Sequence, residues 1–398
     1  MAALRQLRSV LVAVLQRLRT VLMAGLGRVR PVLVAAVARL RALYAAHPRR
    51  VVGGAVAAVV VLAAASVALT RDTSEPTETA EPSTTTTTTT TAPPTTTTTV
   101  PPPPVAPLTG LTGNFQGRID RPALIVKIDN VERARPHAGI NRADIVIEEP
   151  VEGDLTRLAA VFHSTDAPEV GPVRSMRTTD LELVPLFGRP LFAASGGNGG
   201  VVPQIQAANV VDIGHHVSAE GFVRNPGRPA PHNLFTSTPA LYGKSPESPP
   251  PPPPLFTYLA PGEALPGAPI PVGGIALRFG GPEVSRFTWD AASRTWPRSQ
   301  RGSPHVVTTG EGIAPANVVV LEIAYDMSNQ LGRSVPHGLV TGQGRAILLT
   351  QGQAVQGTWS RPSLGEPLRL VAANGQPMKL TPGQTFIELP VPGGSSFI

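Results

Sequence analysis

The sequence predicts an α+β protein: a mixed α/β sheet domain and then a mainly β domain, preceded by an amphipathic helix, one transmembrane helix and a disordered Thr/Pro stalk. Three observations carry this. Beyond residue 107, short β-branched runs alternate with Gly, Pro, Ser and Asn turns. Upstream, one nineteen-residue stretch, Val51 to Leu69, carries no charge, and a segment dense in threonine and proline follows it. The chain has 398 residues; with the first hundred or so unsuited to a core, roughly 290 remain, enough for two domains of ordinary size.

Charge and cysteine content narrow the function classes. The formal net charge is +7, but residues 1–50 hold ten arginines with no lysine and no acid, so the remainder sums to −3. A nucleic-acid reading loses its main support. Cysteine is absent, which excludes a disulfide framework, a thiolate nucleophile or metal site, and a lipid-modified cysteine.

From Leu4 to His47 the chain repeats every 11 residues: LRQLRSVLVAV, LQRLRTVLMAG, LGRVRPVLVAA, VARLRALYAAH. That period is close to three helical turns. It gathers Leu7, Leu11, Val14, Leu18, Leu22, Val29 and Leu40 on one face with arginines on both flanks. Such a wedge suits a helix lying in the headgroup region, its arginine stems reaching outward to phosphates. It does not suit a span, since each arginine at the bilayer centre costs about 2.5 to 3.5 kcal/mol. The competing readings are a soluble coiled coil and a disordered basic tail, neither of which finds acids here to pair the arginines.

Val51–Leu69 is long enough to cross the hydrocarbon core. The arginine excess before it predicts a cytoplasmic N-terminus and extracytoplasmic folded domains; a cleaved signal peptide is the alternative, with an unusually long region before it. Residues 70–107 include Thr84 to Thr91, Thr95 to Thr99 and Pro101 to Pro104. Nothing there builds a core, and proline favours an extended spacer of roughly 100 Å at about 3.1 Å per residue.

In the folded part, residues 108–245, the runs Ala123 to Asp129, Asp144 to Pro150, Leu155 to Ser164, Leu191 to Ser195 and Asn209 to Ile213 read as strands, with a short helix around Val202 to Ala208. Residues 246–270 contain the Pro249 to Pro254 run, read as a linker, with an inserted surface loop as the alternative. Residues 271–392 carry seven strand-like runs and no helical periodicity, predicting a sandwich or partial barrel. Trp289, Trp296 and Trp359 are expected as packing anchors of that core rather than as a sugar-stacking platform.

The stretch from Gly171 to Gly200, GPVRSMRTTDLELVPLFGRPLFAASGGNGG, looks least like generic packing. Arg174 and Arg177 are interleaved with Ser175, Thr178 and Thr179, ahead of Asp180. If a helix starts near Ser175 or Thr179, its free N–H groups and the guanidinium groups would make an anion seat. Thr179 with Glu182 fits a capping box, and Pro185 makes that helix short or kinked. The plainer reading pairs these arginines with surface carboxylates. Ligand-binding candidates are Arg174, Arg177, Ser175, Asn130, Asn198 and Asn233. Catalytic candidates are His232, Asp129 and Ser195, on the ground that sites are built at strand ends and the turns after them, with Glu149 as the alternative to Asp129 for acid–base work with His232. Ser195, His232 and Asp129 would compose a hydrolase triad, but ASGGN lacks the G-x-S-x-G elbow and is common in plain turns. His215 and His216 lack the spacing of a zinc site, so no metal or cofactor is expected. Glu148, Glu149 and Glu152 would suit a hard cation or acid–base work, or pairing with nearby arginines.

Several blocks taken together, DNVERARPHAGINRADIVIEEPVEGDLTRLAAVF, GPVRSMRTTDLELV, ASGGN, APHNLFTS and GTWSRPSLGEPLRLVAANGQPMKLTPGQTFIEL, resemble the successive blocks of the YerB-like lipoprotein family, over about residues 107 to 392. The resemblance implies a two-domain extracytoplasmic protein held at the cell membrane. Here a transmembrane helix and stalk would replace the lipid anchor, and the block around His305 lacks the acid expected just after it. The expected function is binding of an anionic cell-wall or lipid-linked ligand, or of an envelope protein. The alternatives are a hydrolase or transferase acting on an envelope polymer, and a purely structural role.

Overall fold

The computed structural model describes residues 103–398 apart from 199, 282–283, 328 and 331–332. The expected surface helix (1–50), transmembrane helix (51–69) and nearly all of the stalk lie outside the described residues. Among the described residues no helix is long and apolar enough to cross a membrane.

The first sequence segment supplies β1 (Leu124–Asp129), β2 (Ile145–Val151), β3 (Leu155–Phe162), β4 (Leu191–Ala193), β5 (Val211–Asp212) and the hairpin β6 (Phe222–Arg224) and β7 (Leu234–Thr236). The second supplies β8 (Gly274–Arg278), β9 (Val284–Thr288), β10 (Arg298–Gln300), β11 (Asn317–Leu321), β12 (Gly342–Thr350), β13 (Gln353–Arg361), β14 (Arg369–Ala372), β15 (Thr385–Glu388) and β16 (Ser395–Phe397). Short helices α1 (Asp180–Leu183), α2 (Val201–Ala207) and α3 (Thr238–Gly243) lie between strands of the first segment or just after them.

The strands of both segments join one sheet, in the order β14-β13-β12-β11-β15-β2-β3-β1-β4-β5. The seam is β15, which pairs in parallel with β11 on one side and β2 on the other, Ile387 lying opposite both Val319 and Ile147. The two consecutive domains expected from the sequence are joined in space through this shared backbone ladder. Every residue of β1, β2 and β15 is buried. That fits the apolar runs LIV of β1 and IVI of β2, as expected of strands covered on both faces.

Alternation along each strand divides the core in two. Ile125, Ile147, Val161, Phe192, Val319 and Ile387 face one layer with Leu183, Phe187 and Ile205 of the helical segments. Leu124, Val126, Val146, Phe162, Val320 and Phe386 face the other, with Ile275, Leu277, Phe287 and Trp296. That second layer includes a five-stranded sheet, β10-β9-β8-β16 extended at β10 by Ser303–Pro304. Trp296 and Trp359 are buried in these two cores, Trp359 donating from Nε1 to the Glu322 carbonyl at 3.0 Å, so they pack as expected. The proline-rich stretch is laid across the fold: Leu255, Phe256 and Leu259 are buried, and Thr257–Tyr258 pairs with Lys379–Leu380.

Charge is buried at the seam. Glu148 on β2 and Glu388 on β15 are register partners, and both are fully buried. Glu148 receives Arg298 Nη2, Ser285 Oγ at 3.1 Å, Thr156 Oγ1 at 2.7 Å and Asn130 Nδ2 at 2.9 Å. Burial opposes its ionisation, but Arg298 and these donors outweigh burial and hold the carboxyl below its usual range. Glu388 has the opposite balance: burial, then the charge of Glu148, raises it well above the usual carboxylate range. One carboxylate and one neutral acid therefore sit side by side against a single guanidinium, which avoids two buried like charges.

This asymmetry predicts different outcomes for two isosteric substitutions. Glu388→Gln should leave stability at pH 7 unchanged or higher, whereas Glu148→Gln strands Arg298 and should cost roughly 3 kcal/mol. The sign with pH follows from Glu388 keeping its proton in the native state after the unfolded chain has lost it. Its contribution falls as pH rises above the ordinary glutamate value of 4.5, and Glu388→Gln removes that slope. Urea unfolding of both variants from pH 4 to 8 measures this; equal losses in the two would contradict the assignment.

Candidate functional site

The parallel strands β1 and β4 stay paired as far as Val126 opposite Ala193 and then diverge. Residues 173–176 fill the gap: Arg174 N donates to the Lys127 carbonyl at 2.8 Å, Ser195 N to the Arg174 carbonyl at 3.0 Å, and Met176 N to the Gly196 carbonyl at 2.8 Å. The carboxyl ends of two parallel strands and an inserted segment thus meet, a place where sheets of this kind commonly build sites.

Asp129 ends β1 and is the hub of this corner. Its Oδ2 lies 2.8 Å from His232 Nδ1 and 2.9 Å from Arg174 Nε, and the carboxylate is almost wholly buried. The Arg174 Nε–H is not aimed along its short distance, so that contact is an ion pair rather than a directed hydrogen bond. His232 arrives from the turn between β6 and β7. With Nδ1 against a carboxylate, neutral His232 carries its proton on Nδ1 and leaves the Nε2 lone pair open. Among the described residues neither Nε2 of His232 nor the terminal nitrogens of Arg174 meet an acceptor or donor, and the Arg174 side chain is 27% exposed.

Further cations and acids surround the hub. Arg157, the register partner of Asp129 on β3, donates to the Ser175 carbonyl at 3.2 Å. Burial, then the charge of Arg177, lowers it to about 10. Glu152 resists burial through its hydrogen bonds and charge pairing with Arg177 and is held down at about 2. Behind the corner, Lys127 bridges Glu149 and Asp180 with no exposure at all. Burial pushes Glu149 up to about 7, Lys127 opposing and Asp180 adding to the rise. At the corner itself three guanidinium groups, Arg157, Arg174 and Arg177, face two carboxylates, Asp129 and Glu152.

A second chain of contacts holds the hub from below. Asp129 O can only accept, so His137 donates to it from Nε2, at 2.6 Å. His137 Nδ1 then accepts from His305 Nε2 at 2.7 Å, and His305 Nδ1 accepts from Arg298. Burial is the first cause of the low basicity of both rings, His137 falling to about 3 and His305 well below the usual range, and Arg298 adds to both. Two neutral imidazoles thus connect Arg298, beside Glu148, to the backbone of Asp129.

Of the residues singled out from sequence, Asp129, His232 and Arg174 meet at one carboxylate oxygen. Ser175 and Ser195 adjoin them, their hydroxyls 3.4 Å apart. Among the described residues no hydrogen bond joins Ser195 to His232, so a Ser–His–Asp relay is not assembled. Arg177 is withdrawn from ligand binding: it is buried, paired through Nε and Nη2 with Glu152, and donates from Nη1 to the Met176 carbonyl at 2.7 Å. Asn130 is buried in the Glu148 cluster, Glu149 is buried against Lys127, and the Asn233 Oδ1 accepts from Arg224. Asn198 is half-buried, its carbonyl accepting from Val201 N at the start of α2.

The expected helix-terminus anion seat is also absent. α1 has four residues, and the N–H groups of residues 180–182 already donate to carbonyls three residues back. The Thr179–Glu182 capping box does not form, because Thr179 Oγ1 accepts from Gly338 N at 2.9 Å and Glu182 accepts from Val340 N at 3.2 Å. Asp180 instead caps the Arg177 N–H at 2.7 Å.

The tautomer of His232 gives a direct check. In the wild type its neutral form should show Nδ1 protonated in imidazole 15N spectra, and Asp129→Ala should return it to the Nε2–H form that free histidine prefers. An Nε2–H tautomer in the wild type would contradict the Asp129 contact.

Residues 108–249 match the N-terminal domain, and residues 275–387 the C-terminal domain, of the DUF3048 proteins of unknown function. YerB of Bacillus subtilis (strain 168), provisionally designated a lipoprotein, is 28% identical over 298 residues, covering 71% of this chain and 85% of YerB. The crystal structure of Bacillus subtilis YerB superposes with a TM-score of 0.63 at 25% identity, over 74% of this chain and 99% of that one. Both domain models occur in order on one chain, and the sequence and structural likenesses converge on the same protein: this chain belongs to the YerB-like family.

Proposed function

We propose that this chain is a membrane-tethered extracytoplasmic binding protein of the cell envelope, and that the Asp129 corner engages an anionic group on a cell-wall component, a lipid-linked intermediate or an envelope protein. The carrying observation is that Arg174 and His232 are both set by one Asp129 oxygen while their outer nitrogens stay unpartnered among the described residues. A guanidinium fork suits a carboxylate or phosphate, the open Nε2 of neutral His232 beside it can accept from a hydroxyl of the same ligand, and prior anchoring lowers the ordering cost of binding. The designation of YerB as a lipoprotein supports an envelope location. With no cysteine available for a lipid, the tether here would be the uncharged run at residues 51–69, with residues 1–50 lying along the cytoplasmic membrane surface.

A second reading has one observation in its favour. His232 paired through Nδ1 with Asp129 leaves Nε2 placed as a general base, the arrangement that acid–base enzymes use. A hydrolase or transferase acting on an envelope polymer would draw on that pair.

The two readings separate in one set of measurements on the full chain, with isolated cell-wall material as the probe in a sedimentation assay. Arg174→Ala should weaken association by about tenfold, equivalent to about 1.4 kcal/mol, and raised salt should weaken it further. Unchanged association in Arg174→Ala would overturn binding through this corner. Release of soluble fragments from the same material, abolished by His232→Ala, would favour the enzymatic reading.

A further inference from the structure

A cleft of about 310 Å³ opens between the loop that follows Asp129 and the turn that leads to His232. It contains none of the residues singled out from sequence. Arg133, Arg135 and Arg228 line it against one acid, Glu169, with Phe235 and Thr308 completing its wall.

The placement of Arg228 is built. Its Nη1 donates to the Pro136 carbonyl at 3.0 Å and its Nη2 to the Ala134 carbonyl at 2.8 Å, and its guanidinium lies over the Phe235 ring at 5.4 Å. These partners are neutral, so they fix the group without cancelling its charge. Five N–H donors belong to a guanidinium, and the carbonyls take two. Arg133 is exposed and makes no ion pair among the described residues. The contrast with the Asp129 corner is chemical: there each arginine has a carboxylate, whereas here Arg133 and Arg228 have none within ion-pair reach among the described residues.

We infer that this cleft is a second anion-binding site, which takes the phosphoester of a small polyol or sugar. The guanidinium groups of Arg228 and Arg133 hold the phosphoryl oxygens, a recognition for which the planar fork is suited. The volume exceeds what a bare phosphate needs, and Phe235 with Pro136 and Pro229 offers carbon surface for the attached alcohol. The site is independent of the Asp129 corner, since it uses neither Arg174 nor the His232 side chain.

Titration of the full chain with glycerol 3-phosphate by calorimetry tests this, with inorganic phosphate and glycerol as comparison probes. Glycerol 3-phosphate should bind saturably and more tightly than either comparison probe. Arg133→Glu, at an exposed position that anchors nothing, should weaken binding by about tenfold or more with thermal unfolding unchanged. Arg228→Lys keeps the charge but loses the fork, and should also weaken it. Arg174→Ala should have no effect. Wild-type affinity in Arg133→Glu, or no saturable binding to the wild type, overturns the inference; loss in Arg174→Ala with none in Arg133→Glu assigns the anion to the Asp129 corner instead and likewise overturns it.

Discussion

The whole arrangement depends on β15, a four-residue strand near the end of the chain, being seated between β2 and β11. Without it, two interior strands would expose unpaired backbone edges, a liability that folded sheets avoid. With it, the ladder runs unbroken from one sequence segment to the other. The seam also brings Glu388 beside Glu148, which forces one of the two acids to stay neutral and brings Arg298 to the other. A buried ion pair of this kind is weak evidence for added stability, but it penalises any register that separates the partners.

The Asp129 corner draws on that seam. Arg298 comes from β10, in the second segment, and reaches the Asp129 carbonyl through His305 and His137. Asn130, the next residue, is tied to Glu148 itself. The backbone that presents the Asp129 carboxylate is therefore held by groups from both segments, while the carboxylate orients Arg174 and His232 toward solvent. Rigid support beneath and open nitrogens above is the division of labour expected of a preorganised binding site.

Much of the architecture was legible from residue pattern. β1, β2, β3 and the 201–207 helix announced themselves through β-branched runs, turn residues and spacing, and the two buried tryptophans behaved as packing anchors. What pattern does not carry is which segments pair at a distance, so the two domains were legible but the sheet they share was not. The same limit governed the site. Asp129 and His232 were found because they sit at strand ends and in the following turns. Arg177 looked equivalent to Arg174 because burial and the Glu152 partner are tertiary facts. The His137–His305–Arg298 chain was missed although a signal existed: Arg298 and Gln300 occupy inward-facing positions of a strand, where apolar residues would be expected. The Arg133–Arg228 cleft joins two loops 95 residues apart and has no periodic trace at all.

The most direct test of a single sheet carrying the corner is native-state hydrogen exchange of the full chain in increasing urea. Amides of Ile147 on β2, Val319 on β11 and Ile387 on β15 should open together, with one free energy and one urea dependence. Separate openings, with β2 protected after β11 and β15 have exchanged, would show two independent domains and contradict the shared sheet.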